Sequence, residues 1–137
     1  MKILFLCWSN VFRSQMAEAF FEKYNKNTRW KVESAAIVAP HEKMHALVVK
    51  AMAEVGIDLS KKKSKKVTKE MLDSADRIIL MSPDLQELLN EKYRGEVETW
   101  NIPEIKAKET ELSKYSEFLQ ARDIIEKKVK ELVKTPA

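Results

Sequence analysis

The chain has 137 residues, 45% hydrophobic and 34% charged, with a formal charge of +4 and one cysteine. That length fits one domain with a substantial core, and the composition is globular rather than disordered or fibrous. No apolar run approaches membrane-crossing length, the apolar N-terminal segment is too short for a signal peptide, and a lone cysteine excludes an intramolecular disulfide framework, so a reducing, cytoplasmic setting is expected.

Met1 to Leu6 reads as a short buried strand. Met16, Ala17, Ala19, Phe20, Phe21 and Tyr24 then supply the apolar face of a helix. Between them lies Cys7-Trp8-Ser9-Asn10-Val11-Phe12-Arg13-Ser14, a polar turn at a helix N-terminus with Cys-x5-Arg spacing. Unpaired backbone N–H groups and the positive end of the helix dipole favour an anion there, such as phosphate or arsenate. Arg13 adds a planar fork of donors matched to two oxygens of that anion. The same field stabilises a thiolate, which makes Cys7 a nucleophile. A buried cysteine at a strand end also has a plain packing explanation. The polarity of the turn argues for binding instead.

Further along, Trp30 to Ala35 is a plausible second strand, and His45 to Val55 a helix closed by Gly56 as its C-terminal cap. Asp76 to Met81 reads as the third strand, Pro83 opens a helix running to about Asn90, Glu96 to Thr99 makes a short fourth strand, and Ser116 to Val133 forms a long final helix. This alternation predicts an α/β fold: a single domain over residues 1–137, with a doubly wound four-stranded parallel sheet flanked by helices. Its ligand site falls at the carboxyl ends of the strands, where the Cys7 loop lies.

The loop residues resemble those of the low-molecular-weight protein tyrosine phosphatases and the arsenate reductases that share their fold. The family's loop typically runs Cys-x-Gly-Asn-x-Cys-Arg-Ser-Pro-Met-Ala-Glu-Ala, against Cys7 to Ala19 here, with Ser9 in place of glycine, Phe12 in place of the second cysteine and Gln15 in place of proline. Phe12 removes a thiol able to protect the nucleophile as a disulfide. Ser9 gives up glycine's freedom to adopt positive φ, while the neighbouring Asn10 tolerates a left-handed conformation. The resemblance continues at Ser34-Ala35-Ala36, at Val55-Gly56-Ile57-Asp58 and through the third strand, and weakens after Pro103.

The resemblance implies a phosphatase acting on phosphotyrosine or other aryl phosphates through a cysteinyl-phosphate intermediate. Residues 8–14 would bind the phosphate, Ser14 would donate its hydroxyl to the Cys7 thiolate, Asn10 would brace the loop, and Trp8 would wall the pocket. An acid must protonate the leaving oxygen and then, as a base, activate water, since an unassisted phenolate with a pKa of about 10 leaves slowly. The family carries an aspartate followed by proline after the fourth strand. Trp100-Asn101-Ile102-Pro103-Glu104-Ile105 occupies that place, so Glu104 is the candidate acid, with Asp84 as its substitute. The family's aromatic pair after the acid is missing, and only Tyr115 lies nearby.

Two alternatives stay open. One is an arsenate reductase borrowing external thiols, because a single cysteine cannot relay oxidation within the chain. The other is a non-catalytic phosphate- or phosphoprotein-binding module. The expected partners are a phosphotyrosine protein or small aryl phosphate, with inorganic phosphate or arsenate competing, and no nucleic acid or membrane. No cofactor is expected, and no metal, because His41 and His45 have helical pair spacing but no further ligands near them. The basic run Lys61-Lys62-Lys63-Ser64-Lys65-Lys66 reads first as a solvated loop face. If it binds anything, its charge suits a phosphorylated partner.

Overall fold

The computed structural model describes residues 1–40, 43–105 and 110–135. Four parallel strands form one sheet in the order β2-β1-β3-β4. They are β1 (Lys2–Cys7), β2 (Lys31–Ala36), β3 (Arg77–Leu80) and β4 (Glu98–Thr99). β1 is central, and its apolar run Ile3 to Leu6 is wholly buried, as expected for a strand covered on both faces. From β1 the chain steps outward to β2, then back across β1 to β3 and on to β4. The direction of winding therefore reverses at the carboxyl end of β1, where a ligand crevice opens in such sheets. Cys7 is the last residue of that strand, in register with Ala36.

Five helices complete the described structure: α1 (Arg13–Tyr24), α2 (Ala46–Ala53), α3 (Lys69–Ser74), α4 (Gln86–Asn90) and α5 (Glu111–Leu132). α1 buries Met16, Ala17, Phe20 and Phe21 against β1, β2 and α5. α5 answers with Phe118, Ala121, Ile125, Val129 and Leu132, an i, i+3/i+4 stripe. The predicted C-cap at Gly56 is present. Gly56 has φ of +81°, its N–H donates to Ala53 O at 3.0 Å and that of Ile57 donates to Met52 O at 3.0 Å, the paired bonds of a Schellman motif.

Beyond shifts of one or two residues at the ends of α2 and of the four strands, the observed elements depart from the predicted ones in three places. α5 begins at Glu111 rather than Ser116, because the Thr110 hydroxyl caps it by accepting from Ser113 N at 2.9 Å. α3 is an element the sequence reading omits. Thr68 caps it in the same way, at 3.1 Å to Met71 N, and Leu72 anchors it. The helix expected from Pro83 begins as a 3-10 turn, Pro83–Leu85, before α4. Among the described residues no helix is long and apolar enough to cross a membrane.

Candidate active site

The site grows from the turn between β1 and α1. Asn10 has φ of +57°, the only positive value at a non-glycine residue among those described. Asn is one of the few side-chain-bearing residues that adopts this conformation readily. Ser9, at the family's glycine position, is not in the left-handed region, so losing that glycine places no strain there. The Asn10 side chain is fully buried and uses all its polar capacity. Its Nδ2 donates to Ser14 Oγ at 2.7 Å and Ser34 Oγ at 3.0 Å, while its Oδ1 accepts from Gln15 Nε2 at 3.2 Å and Lys65 N at 3.1 Å. The start of α1, the end of β2 and the loop at Lys65 are thereby locked around one amide.

This lock also positions Cys7. Cys7 Sγ lies 2.8 Å from Ser14 Oγ and accepts from Asn10 N at 3.3 Å. With Asn10 Nδ2 donating to the Ser14 oxygen, the Ser14 hydroxyl proton is free to point at sulfur, which is the arrangement a thiolate needs. α1 begins here without a side-chain cap and without an acidic residue in its first turn. Its leading N–H groups are left for an anion.

Arg13 opens α1 with a side chain only 5% exposed. Its Nη1 donates to Ile102 O at 3.2 Å, and its Nη2 lies 3.6 Å from Glu104 Oε1. The segment bearing Glu104 is itself anchored. Trp100 N donates to Leu80 O at 2.7 Å, Ile102 N donates to Met81 O at 3.2 Å, and the Ile102 side chain is buried. Glu104, 60% exposed, is thus an accessible carboxylate held beside the buried arginine of the loop. Asp84 accepts a hydrogen bond from the Ser82 hydroxyl and lines the same cleft.

The cleft measures about 640 Å³, and Trp8, Phe12, Arg13, Asp84, Glu104 and Phe118 contribute to its walls. Ser9 and Val11 also line it, and Trp8, 47% exposed, stands at its edge. Phe12 meets Phe118 edge-on at 4.7 Å between centroids, and His45 packs on Phe118 at 4.8 Å. Tyr115, the aromatic expected near the acid, is directed elsewhere. Its hydroxyl donates to Glu54, and Lys50 lies over its ring. His41 and residues 106–109 lie outside the described residues. His45 Nδ1 accepts from Leu47 N at 3.1 Å as the cap of α2, which commits that nitrogen to the backbone. Burial holds the His45 imidazole below its usual pKa, Glu111 opposes the shift, and Lys114 adds to it.

A strand-to-helix loop holding a cysteine, a bridging serine, a left-handed asparagine and a buried arginine matches one sequence family along its whole length. The model for low molecular weight phosphotyrosine protein phosphatases matches residues 2–136. The chain belongs to this family. An arsenate reductase of Bacillus subtilis is 35% identical over 135 residues, covering 97% of this chain and 95% of that protein. The crystal structure of a YwlE mutant from Bacillus subtilis superposes with a TM-score of 0.85 at 26% identity, covering 98% of this chain and 97% of that one. A YwlE arginine phosphatase mutant with a phosphorylated active-site serine gives 0.84 at 25% identity, covering 98% and 94%. An arsenate reductase from Archaeoglobus fulgidus gives 0.73 at 28% identity, covering 97% and 99%.

Of the residues this phosphatase-family sequence points to, Arg13, Asp84 and Glu104 line the cleft, and Cys7, Asn10 and Ser14 are hydrogen-bonded to one another in the buried turn that carries Arg13. Phe118, His45 and the Lys65 amide were missed. Phe118 reads in sequence as one more core position of an amphipathic helix. The Lys65 contact is made by backbone, which carries no residue-type signal.

Proposed function

We propose that the protein is a metal-independent phosphomonoesterase that hydrolyses aryl phosphates, phosphotyrosine among them, through a phosphorylated Cys7. The observation that carries this reading is Cys7 Sγ held by Ser14 Oγ and Asn10 N at the open end of α1, with Arg13 and Glu104 alongside. The bound dianion would sit on the N–H groups of residues 8–14 and take over the fork of Arg13 from Glu104. The Cys7 thiolate attacks phosphorus, and the bond to the aryl oxygen breaks as that oxygen takes a proton from Glu104. Glu104, now a carboxylate, takes a proton from water as the water oxygen attacks the phosphocysteine. The thiolate then leaves, received by the Ser14 hydroxyl. Trp8 and the Phe12 edge give an aromatic leaving group apolar surface to lie on.

A second reading is arsenate reduction, supported by the relatives that carry that name at 33–35% identity. Cys7 would form the first arsenic–sulfur bond, and because the chain has no other cysteine, both remaining reducing thiols would come from outside. Steady-state hydrolysis of p-nitrophenyl phosphate, phosphotyrosine and phosphoarginine in a metal chelator, with Cys7→Ser and Glu104→Gln alongside, separates these readings. Turnover of the two aryl esters that Cys7→Ser abolishes supports the phosphatase. Arsenate-dependent thiol oxidation with no phosphate release contradicts it, and preference for phosphoarginine moves the substrate class.

A further inference from the structure

Beside the Cys7 crevice lies a second, larger depression of about 1070 Å³. Met44, Ala46 and Val49 give it apolar surface, and Lys43 and Lys61 to Lys63 surround that surface with positive charge. The segment from Lys43 to Ala46 is a shared wall: Lys43, Met44 and Ala46 line the depression, whereas His45 lines the catalytic cleft. The basic loop is also tied to the phosphate loop. Gln15 Nε2 donates to Lys63 O at 3.2 Å, and Lys65 N donates to Asn10 Oδ1 at 3.1 Å. Ala36 N bonds Lys65 O at 2.7 Å, which pins the same loop to the end of β2. The cations are therefore presented on a braced backbone, close to where a phosphorylated side chain would enter.

Not all these lysines serve the fold. Lys62 pairs with Glu18 at 3.5 Å and Lys65 with Glu33 at 2.7 Å. Lys43, Lys61 and Lys63 are exposed and form no ion pair among the described residues. Lys43 and Lys63, together with Lys61, whose charge also acts on Asp58, give the apolar surface a positive rim that fits an acidic segment carrying an apolar side chain. Single-stranded nucleic acid fits less well, because among the described residues no aromatic side chain lines the depression for a base to stack on.

We propose that this groove docks the polypeptide flanking the phosphorylated residue of a substrate protein, and that the flank is acidic with an apolar residue among its carboxylates. The proposal rests on the phosphatase reading of the Cys7 site and names its substrate class. Rim charges of this kind act through encounter and salt dependence rather than through the chemical step.

The test compares two phosphotyrosine peptides, one flanked by Asp, Glu and Leu and the other by Ser and Gly, on the native protein and on a Lys43→Glu/Lys61→Glu variant. p-Nitrophenyl phosphate serves as the control for the Cys7 site. The native enzyme should show a KM roughly ten-fold lower for the acidic peptide, with kcat little changed and the preference shrinking as salt is raised. Charge reversal should erase the preference and leave p-nitrophenyl phosphate turnover unchanged. Equal KM values in a protein that turns over p-nitrophenyl phosphate would overturn the docking proposal alone. If p-nitrophenyl phosphate is not hydrolysed, the phosphatase reading fails, and fluorescence anisotropy of the unphosphorylated acidic peptide decides the groove by itself. Binding lost on charge reversal supports it, whereas no binding, or displacement by an oligonucleotide more readily than by acidic peptide, overturns it.

Discussion

α1 and α5 pack side by side, yet their N-termini are built in opposite ways. α5 satisfies its own start: the Thr110 hydroxyl accepts from Ser113 N, and Glu111 places negative charge in the first turn. α1 has neither device, and the residue before it, Phe12, turns its ring onto Phe118 instead of capping. A helix start left open beside a buried arginine is unfavourable for folding unless something else holds it. Here that is the Asn10 network, which fixes the turn without occupying the N–H groups. One terminus uses side chains to cap itself, and the other is left without a side-chain cap.

The comparison can be broken at several points. The largest effect is expected for Arg13→Lys, which keeps the charge and loses the fork. The kcat/KM for p-nitrophenyl phosphate should fall about a thousand-fold, with thermal stability nearly unchanged. Steady-state kinetics with a melting curve would check this, and retained activity would mean that charge alone suffices. Asn10→Ala should act chiefly on the fold. It strands buried partners at Ser14, Ser34, Gln15 and the Lys65 amide, and should destabilise by about 3 kcal/mol in urea unfolding. Thr110→Ala is the counterpart at α5, with an expected loss of about 1 kcal/mol and no change in KM or in phosphate inhibition. A catalytic defect there would erase the distinction between the two termini.

The smallest effect concerns the cap of α2. Burial lowers the pKa of His45 in the folded state, so the unfolded chain takes up the proton first as pH falls. Its contribution to stability is complete above about pH 6.5 and declines below it, until the folded-state imidazole is protonated too. Protonation also removes the acceptor for Leu47 N. A His45→Asn variant, which retains a capping oxygen, should show a flatter stability profile between pH 7 and 5 in denaturant titrations, and an unchanged profile would remove His45 as the cause.

The same contrast explains what the sequence made legible. β1, α1 and the turn between them were readable because the apolar run of Ile3 to Leu6, the buried face of α1 and the polar Cys7–Ser14 turn each obey a local rule. Gly56 announced the end of α2 in the same way. The start of α5 was misplaced by five residues although Thr110 carried the cap signal, because the apolar stripe that identifies the helix begins only at Phe118. The cleft wall was harder. Phe12, Phe118 and His45 come from three separate elements, and only the packing of α1, α2 and α5 brings their rings together. Ser9 gives up glycine's conformational freedom, yet the positive φ of the turn falls on Asn10. The spacing of residue types does not say which residue of a turn carries that conformation.

In the proposed mechanism the open end of α1 activates Cys7 toward phosphorus. Its most direct test is acid quenching of the Glu104→Gln variant during reaction with p-nitrophenyl phosphate, followed by intact-mass and peptide mass spectrometry. A single phosphate adduct on Cys7 is expected, accumulating because the base for its hydrolysis is missing. A folded protein that binds phosphate, yet shows neither adduct nor nitrophenol release in native or variant form, would contradict it.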